Sequence, residues 1–389
     1  MDVLIQPHNK IKKDHHKNDG LFFAIRLTKI VFCLYSFLIM KVDYIIVGAG
    51  LAGIAFCEQL KANNKTFVVF DDNSQQSSVV AGGLYNAVVL KRFTPVWKSQ
   101  DQLNLALPLY NNIENKLNIK LDYKIPVYRK FASLEEQNNW FTASDNPRLS
   151  EYLSTQIVKN TNQAVNAPLG FGKVLKTGRI DVKTLVRAYR EDLQKKDLLF
   201  KEAFQYNELN LKATELIYKN IMAKQIVFAE GFGMVKNPFF KHLPLVPTKG
   251  ELLIIEAPEL KIDYVLKSGA FVIPLGNHKY IIGATYEWND LNHKATEQAK
   301  EKLLSRLEKI INCQFKIVNQ VAGVRPTVID RRPLVGRHQA HKNMYLLNGL
   351  GTRGVMIGPY VAQELFSFIE KDQPLDQDID IARFSEQKQ

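Results

Sequence analysis

The sequence predicts an α/β protein, α+β overall, with a Rossmann-like nucleotide-binding domain and a second domain. Residues 41–72, KVDYIIVGAGLAGIAFCEQLKANNKTFVVFDD, have the pattern of a buried strand, a glycine turn, a helix and a second strand. The chain is 389 residues long, which is more than one hydrophobic core usually serves. Apolar runs at 271–274 and 280–284 flank Gly276-Asn277 and predict an antiparallel hairpin outside the first unit.

The glycine turn of the first unit suits a dinucleotide. Gly48 permits a tight turn, Gly50 lets the backbone approach a pyrophosphate, and Gly53 lets the helix pack closely on the strand. The following helix offers N–H groups and the positive end of its dipole to two phosphates. Asp71 lies about twenty residues further on, where a carboxylate accepts from the adenosine ribose. The motif therefore predicts an NAD or FAD site, and the alternative is a glycine-rich βα turn without a ligand.

The composition restricts the class of partner only weakly. Hydrophobic residues at 46% and charged residues at 23% are ordinary for a globular protein. The formal charge of +13 favours anionic partners such as nucleotide cofactors, acidic metabolites, RNA or anionic lipid. The basic residues are scattered along the chain, so a generally basic surface explains them equally well.

The cysteines and histidines predict neither a disulfide framework nor a metal site. Cys33, Cys57 and Cys313 form no CxxC pair, and the histidines lack the spacing of a ligand set. Cys57 falls in the helix after the glycine turn, where we expect a small buried apolar side chain. We expect a reducing compartment, and hence a cytoplasmic protein without a bound metal.

Residues 1–39 form an N-terminal extension with two interpretations. Residues 21–40, LFFAIRLTKIVFCLYSFLIM, are just long enough to span a bilayer, but Arg26 and Lys29 interrupt them. Met40 stands a few residues before the first strand, so the favoured interpretation is that translation starts at Met40 and that the extension is a misassigned start. The alternative is a signal anchor that holds the protein on a membrane.

Hydrophobic periodicity predicts the remaining elements. Asp181 precedes a helical pattern and is a candidate N-cap. The predicted helices cover residues 97–117, 134–141, 182–193, 296–311 and 359–370, and the predicted strands cover 123–131, 171–177, 224–229 and 344–347, with a turn and a strand within 244–256.

Nine short segments occur in an order and spacing that resemble the FAD-dependent amine oxidoreductases of the D-amino acid oxidase and glycine oxidase type. The segments are 48–53 with Asp71, 82–84, 178–181, 229–231, 250–253, 283–285, 323–326, 330–336 and 349–354. The resemblance implies a discontinuous FAD-binding domain made of residues 40–90, 178–240 and 321–372. It also implies an antiparallel-sheet substrate-binding domain made of 91–177 and 241–320, followed by a polar tail at 373–389.

Two of these segments resemble one particular branch of this family. GGLYN at 82–86 and GLGTRGV at 349–355 look like the oxidase half of the bifunctional bacterial enzyme that finishes 5-methylaminomethyl-2-thiouridine in tRNA. That oxidase removes a carboxymethyl group from the wobble uridine. This sequence departs from that enzyme in two ways, because it carries no methyltransferase half and has Asn86 where that enzyme has Pro. The tRNA substrate is therefore an alternative and not the main expectation.

The resemblance also implies how FAD is held. The pyrophosphate would lie over the first glycine turn, and the isoalloxazine ring would point towards 82–86 and 349–355. Backbone N–H groups there would stabilise negative charge at the N1–C2=O edge. Asp330 would orient the adjoining loop or the ribityl chain. The expected cofactor contacts are Gly48, Ala49, Gly50, Leu51, Ala52, Gly53, Asp71, Asp72, Gly82, Gly83, Leu84, Gly231, Asp330, Gly349, Leu350, Gly351, Thr352, Gly354 and Val355. No cysteine follows Cys313, so we expect a non-covalent flavin.

Arg325, in the G-x-R-P segment, is the expected substrate clamp. In the family this arginine grips the substrate carboxylate, and a guanidinium suits a bidentate contact better than an ammonium does. Arg353 would reinforce the flavin site or contact substrate, and Tyr286 and Tyr85 are candidate pocket aromatics. The alternatives are an interdomain salt bridge for Arg325, a surface ion pair for Arg353 and ordinary packing for the tyrosines.

Three functions follow from the resemblance, in order of preference. The first is an FAD-dependent oxidase or dehydrogenase that oxidises a C–N bond of a small carboxylate-bearing amine or amino acid, by hydride transfer to flavin N5. The second is the tRNA wobble-uridine oxidase that converts carboxymethylaminomethyl to aminomethyl. The third is a flavin-binding protein without turnover, or a membrane redox partner anchored through residues 21–40.

Residues 349–354 also fit G-x-G-x-x-G, but no second strand or ribose-binding acid follows them, which argues against a separate NADPH domain.

Overall fold

The computed structural model describes residues 39–384. Both interpretations of the N-terminus concern residues before this range, and they lie outside the described residues. Within 39–384, every helix is too short or too polar to span a bilayer.

Residues 39–384 fold into six α-helices and twenty-one strands. The helices are α1 (Leu51–Ala62), α2 (Ser99–Leu117), α3 (Leu134–Ser144), α4 (Val182–Lys195), α5 (Glu297–Leu307) and α6 (Gly354–Lys371). The strands are β1 (Met40–Val47), β2 (Phe67–Phe70), β3 (Leu84–Tyr85), β4 (Val88–Val89), β5 (Thr94–Pro95), β6 (Asp122–Tyr123), β7 (Val127–Lys130), β8 (Leu153–Val158), β9 (Phe171–Val174), β10 (Gly178–Ile180), β11 (Leu199–Phe200), β12 (Leu209–Leu211), β13 (Leu216–Tyr218), β14 (Ile221–Phe228), β15 (Thr248–Glu256), β16 (Val265–Lys267), β17 (Phe271–Gly276), β18 (Lys279–Gly283), β19 (Lys316–Arg325), β20 (Leu334–Arg337) and β21 (Met344–Asn348).

The first large sheet is mainly parallel and contains the glycine turn. Its order is β11-β2-β1-β14-β13-β12, and β21 joins it by pairing with β14 and β20. β1 pairs in parallel with β2 and with β14, and β14 pairs in parallel with β21. β2 is buried along its whole length, as a strand covered on both faces must be. The carboxyl ends of these strands meet at one edge, which is where an open α/β sheet binds its ligand.

The second large sheet is mainly antiparallel, in the order β19-β15-β18-β17-β16-β7-β9-β8. The predicted hairpin is confirmed as β17 and β18, with Asn277 and His278 in the left-handed conformation at its turn. β15 lies between β18 and β19, and the pairing of Thr248 with Arg325 brings the end of β19 beside the start of β15. The predicted fold class, a Rossmann-like part with an antiparallel sheet, is therefore confirmed.

The two sheets draw on different parts of the chain. Strands of the first come from residues 40–70, 199–228 and 334–348, and strands of the second come from 127–174 and 248–325. Helix α2 packs against α6 and α4, although the sequence analysis assigns its residues to the substrate-binding domain. The domain boundaries themselves stay a prediction.

Helix α6 begins earlier than the sequence pattern predicts. The predicted start is Pro359, but the helix starts at Gly354 and contains that proline. Pro359 has no N–H to donate to the Val355 carbonyl one turn earlier. The hydroxyl of Tyr110, from α2, donates to that carbonyl instead at 2.8 Å. A contact from a distant helix therefore removes much of the cost of an internal proline.

The predicted end of α5 is also wrong, whereas the predicted cap of α4 is confirmed. Helix α5 ends at Leu307 and not at Ile311. At the start of α4, the Asp181 carboxylate accepts from the Thr184 amide at 3.2 Å, which satisfies one of the free donors of the first turn.

Candidate active site

The turn between β1 and α1 depends on the absence of side chains. Gly48 has φ +107°, and a Cβ at this position would lie 2.4 Å from the Ala229 carbonyl oxygen, which follows β14. A Cβ on Gly53 would lie 1.9 Å from the Gly48 carbonyl oxygen. Larger residues at either position would push the helix away from the strands, so these glycines form the turn.

The N-terminus of α1 borders a cavity. Gly50 precedes the helix without a side-chain cap, and the first turn contains no acidic residue. The Leu51 amide donates to Ser78 Oγ at 3.2 Å, and all three residues line the cavity. Helix amides and the positive end of the dipole suit a phosphate group here.

Asp71 and Asp72 follow β2 and line the same cavity. The Asp71 carboxylate accepts from the Ala49 amide at 2.6 Å and lies 3.0 Å from the Arg190 guanidinium on α4. The expected ribose contact of Asp71 stays a prediction. In the structure the carboxylate ties the glycine turn to α4. No sequence motif marks Arg190, which is one of several basic residues on an amphipathic helix.

The cavity has a volume of about 490 Å³ and is lined by residues of both large sheets. That size is ordinary for a cofactor or small-molecule site. The expected cofactor residues that line it are Gly48, Gly50, Leu51, Ala52, Asp71, Asp72, Gly82, Gly83, Leu84, Gly231, Leu350, Gly351, Thr352, Gly354 and Val355. Ala49, Gly53, Gly349 and Asp330 are not among the lining residues, and their expected contact with the cofactor stays a prediction.

Residues 348–355 form part of the cavity wall. Asn348 holds this loop by donating to the Gly231 carbonyl at 2.9 Å. Gly349 is structural, because a Cβ there would lie 2.6 Å from the Val328 side chain. Gly351 has φ +58° and no neighbouring atom within 4 Å of its Cβ position, so its backbone is open. This open backbone and the start of α6 are the surface that the resemblance assigns to the flavin ring.

Asp330 has a structural contact in place of the expected contact with the ribityl chain. Its carboxylate accepts from the Arg332 amide at 2.9 Å and from Arg383 Nε at 2.9 Å. Arg383 in turn donates to the Pro333 carbonyl at 2.9 Å. Asp330 therefore orients the adjoining loop, which is the other role that the sequence analysis allows.

Arg325 ends β19 and lies in the cavity wall. Its guanidinium covers Gly250 on β15, where a Cβ would lie 1.9 Å from Nη2. Nη1 is 3.4 Å from the Thr285 carbonyl oxygen, and the cation lies 4.8 Å from the centroid of the Tyr286 ring. No carboxylate of residues 39–384 forms an ion pair with this guanidinium, so the interdomain salt bridge is absent from this part of the chain. Sequence reasoning missed Gly250 as the residue that makes room for the clamp.

Arg353 lies next to the start of α6 and also has no carboxylate partner among the described residues. Its Nη1 donates to the Asn86 carbonyl at 3.2 Å, and the side chain does not line the cavity. Burial lowers the pKa of both Arg353 and Arg325, and the nearby Tyr286 hydroxyl opposes that shift. Two half-buried cations near one tyrosine make this end of the cavity suitable for an anion.

The two candidate aromatics differ in position. Tyr286 lines the cavity, is half exposed, and stacks on the exposed Trp288 ring with centroids 6.4 Å apart. Tyr85 is buried outside the cavity, with its hydroxyl donating to the Asp122 carboxylate at 2.8 Å. The expectation that Tyr85 lines the pocket is therefore wrong, and the packing alternative applies to it.

Glu230 is a cavity residue that lies in the segment 229–231 but has no expected role in the site. It follows β14, and its carboxylate accepts from the Tyr206 hydroxyl and from the Asn237 side-chain amide, the latter at 2.7 Å. Burial raises the pKa of Glu230 from the ordinary 4.5 to about 7. A carboxyl with a raised pKa carries less negative charge near neutral pH than an ordinary glutamate, which reduces repulsion of a phosphate-bearing ligand.

The residues present fit an FAD molecule. A glycine turn without room for a Cβ, a helix N-terminus and an open loop backbone border one continuous cavity. Cys57 is buried in the core as expected, and burial raises its pKa to about 12. Neither Cys57 nor Cys313 lines the cavity, which agrees with non-covalent binding. No group of three or more His, Cys, Asp or Glu residues within 39–384 is arranged to hold a metal ion.

Comparisons with known proteins agree with this geometry. The model of the family described as FAD dependent oxidoreductase matches residues 43–367. Glycine oxidase from Geobacillus kaustophilus (strain HTA426) is 24% identical over 147 residues, which cover 37% of this chain and 38% of that protein. The tRNA 5-methylaminomethyl-2-thiouridine biosynthesis bifunctional protein MnmC from Azoarcus sp. (strain BH72) is 27% identical over 184 residues, covering 41% and 29%.

The curated relatives are therefore matched over less than half of their length, whereas the fold is matched almost completely. The crystal structure of glycine oxidase from Geobacillus kaustophilus superposes with a TM-score of 0.74 at 19% identity, covering 90% of this chain and 99% of that one. Since the family model spans most of the sequence, this chain belongs to the FAD dependent oxidoreductase family.

Proposed function

We propose that this protein oxidises a C–N bond of a small amine or amino acid that carries a carboxylate. The observation that carries the proposal is Arg325, a half-buried guanidinium in the cavity wall without a carboxylate partner in the described chain. A charge that is partly removed from water and has no counter-ion is costly, and a substrate carboxylate would supply the missing ion. The curated relative from Geobacillus kaustophilus is named for glycine, an amine of this class.

The residues of this chain would bind and orient the substrate. Arg325 would hold the carboxylate with two parallel hydrogen bonds, and Tyr286 would pack beside the clamp. Arg353 would add positive charge nearby. Bound FAD supplies the acceptor for the two electrons. Catalysis would then consist largely of positioning the substrate against the cofactor.

The second sheet places no carboxylate or imidazole at the clamp to act as a general base. The lining residues from this side are Gly250, Leu252, Phe271, Ala284, Tyr286, Gly323 and Arg325, and none carries a carboxylate or an imidazole. The substrate amine would therefore have to arrive in its neutral form. The imine product would hydrolyse in water.

An anaerobic bleaching experiment tests the proposed reaction. The purified yellow protein is mixed with glycine, sarcosine, D-alanine or proline, and the flavin absorbance is followed. We expect at least one of these amines to bleach the flavin. Bleaching by none of them would contradict a small-amine substrate and favour a flavin-binding protein without turnover.

The substitution Arg325→Ala tests the clamp. We expect kcat/KM for a carboxylate-bearing amine to fall roughly a hundredfold while FAD remains bound, because two charge-assisted hydrogen bonds are lost. Arg129→Ala is the matched control, since Arg129 lies on β7 of the same sheet as Arg325, pairs with Glu136 on α3 and does not line the cavity. Loss of flavin from the Arg325 variant would show that the residue has been assigned to the wrong ligand.

A second candidate function is oxidation of a modified wobble uridine in tRNA. Two observations favour it, namely the relative from Azoarcus sp. and the half-exposed Tyr286–Trp288 pair, on which a base could stack. Arg325 would then hold the carboxymethylamino group of the nucleoside. A tRNA-retention assay across a salt series tests this candidate, because contacts with phosphates weaken steeply with salt. Absence of retention at low salt would exclude it.

A further inference from the structure

Lys249 is a fully buried lysine directly beside the clamp. It precedes Gly250 on β15, has 0% of its surface exposed, and does not line the cavity. Because side chains alternate along a strand, Lys249 points to the face of β15 opposite the one that Arg325 covers at Gly250. Burial of an ammonium group is costly unless the group is paired, so its surroundings need an explanation.

The Lys249 ammonium belongs to a cluster of polar side chains. It donates to the Asp290 carboxylate at 2.7 Å and to the Asn292 side-chain oxygen at 3.0 Å, and it lies 3.6 Å from the Glu251 carboxylate. Glu251 accepts in turn from the Thr296 amide at 2.9 Å. The cluster therefore fixes both ends of residues 290–296 to β15.

The same lysine also fixes the segment that touches the clamp. Its backbone exchanges two hydrogen bonds with Glu287, at 2.8 and 3.0 Å. The Thr285 amide donates to the Glu251 carbonyl at 3.2 Å. Residues 285–290 are thus held along β15 by backbone bonds and, at their far end, by the pairing of Lys249 with Asp290.

Residues 285–290 supply both contacts that orient Arg325 in the described structure. The Thr285 carbonyl faces Nη1, and the Tyr286 ring packs under the guanidinium. Neither contact is an ion pair, so the position of the guanidinium depends on where this segment lies. A displacement of the segment would move the clamp with it.

We propose that Lys249 is a positioning residue for the carboxylate clamp. Its buried charge, through Asp290 and Asn292, holds residues 285–290 so that Thr285 and Tyr286 fix the guanidinium of Arg325. The inference rests on the proposed function, in which Arg325 binds a carboxylate. Its effect would be on substrate affinity and on kcat/KM, since the clamp holds the substrate both before and during the chemical step.

The substitution Lys249→Met tests the role, because Met keeps the approximate volume and removes the charge. In the FAD-loaded protein we expect kcat/KM for the best amine to fall at least tenfold, as misplacement of a positioning group by about 1 Å is enough for such losses. Affinity for benzoate, followed through the flavin absorbance without turnover, should fall by a similar factor. Lys249→Arg, which keeps the charge, should stay within threefold of the parent protein.

A milder variant and a matched control separate positioning from stability. Asp290→Asn removes one partner at a half-exposed position and should weaken benzoate about threefold, which gives a test even where Lys249→Met fails to fold. Arg129→Met breaks the half-buried ion pair between Arg129 on β7 and Glu136 on α3. This variant should have a lower Tm and an unchanged affinity for benzoate.

The outcomes distinguish the inference from the function beneath it. If Arg325→Ala loses benzoate while Lys249→Met and Asp290→Asn bind it like the parent, the positioning role is overturned and the clamp stands. Equal impairment of the Lys249 Met and Arg variants would also overturn the role of the charge. If Arg325→Ala binds benzoate normally, the proposed role of Arg325 as the carboxylate clamp is contradicted, and the inference about Lys249 is contradicted with it.

Discussion

A single methyl group at position 250 should disable the substrate clamp without disturbing the fold. Gly250 lies on β15 with ordinary extended backbone, so alanine is compatible with its conformation. The Cβ of an alanine would lie 1.9 Å from Nη2, 2.2 Å from Cζ and 2.3 Å from Nη1 of Arg325. These atoms are the end of a flexible side chain, so the guanidinium would move while the strand stays in place.

The size of the effect follows from that displacement. Ordinary van der Waals contact begins at 3.4 Å, so the guanidinium has to move by 3.4 minus 1.9, or 1.5 Å. A shift of about 1 Å in a positioning group can cost roughly a hundredfold in rate. Loss of a bidentate charge-assisted contact costs about 3 kcal/mol, which is also roughly a hundredfold. We therefore expect kcat/KM for a carboxylate-bearing amine to fall about a hundredfold in Gly250→Ala.

The assay compares three proteins loaded with FAD. Gly250→Ala is measured beside the parent and Gly269→Ala, a glycine in the same sheet region with no atom within 4 Å of its Cβ position. Flavin content, Tm and kcat/KM for the best amine are recorded for each. Gly269→Ala should match the parent in all three. If Gly250→Ala keeps its flavin and retains kcat/KM within threefold, Arg325 does not act from the place where the structure puts it.

Three further predictions concern stability. Tyr110→Phe should lower the free energy of unfolding by about 1–2 kcal/mol in urea titrations, because the buried Val355 carbonyl loses its donor. Gly172→Ala should lower it by about 1–3 kcal/mol, since a Cβ would lie 2.6 Å from the rigid Trp140 ring. Burial raises the pKa of Glu230 to about 7, so the folded FAD-free protein keeps a proton that the unfolded chain releases near pH 4.5. Its stability should therefore fall as pH rises from about 4.5 to 7, by on the order of 3 kcal/mol, and Glu230→Gln should remove this part of the pH dependence in unfolding titrations.

The parts of the fold that depend on local chemistry could be predicted from the sequence. The first strand, the glycine turn and α1 follow from residue types at fixed spacing, and β1 and α1 form where the pattern places them. The cap at Asp181 and the hairpin turn at Asn277 are local as well. In each case the residues that decide the structure are neighbours in the chain.

Contacts between distant residues decide the features that the sequence does not predict here, namely the start of α6, strand β19 and the space at Gly250. The start of α6 was predicted too late because an internal proline is tolerated only with the Tyr110 hydroxyl at the Val355 carbonyl. Strand β19 carries polar residues at irregular positions and was not predicted, although β15 pairs along its whole length. Gly250 leaves space for the guanidinium of Arg325, a side chain from β19, so no local pattern around Gly250 could reveal this role.

Arg325 lacks a partner of opposite charge among the described residues, and the proposed function gives this a physical reason. By contrast, the buried Glu58 and Lys249, which lie outside the cavity, have partners of opposite charge. Arg325 has only a carbonyl and an aromatic ring for contacts. An internal carboxylate would stabilise the free protein but would compete with any anionic substrate for the same guanidinium. On the proposed function, the paired Lys249 on one face of β15 would support the site, and the unpaired Arg325, which reaches from β19 over Gly250 on the other face, would bind the substrate.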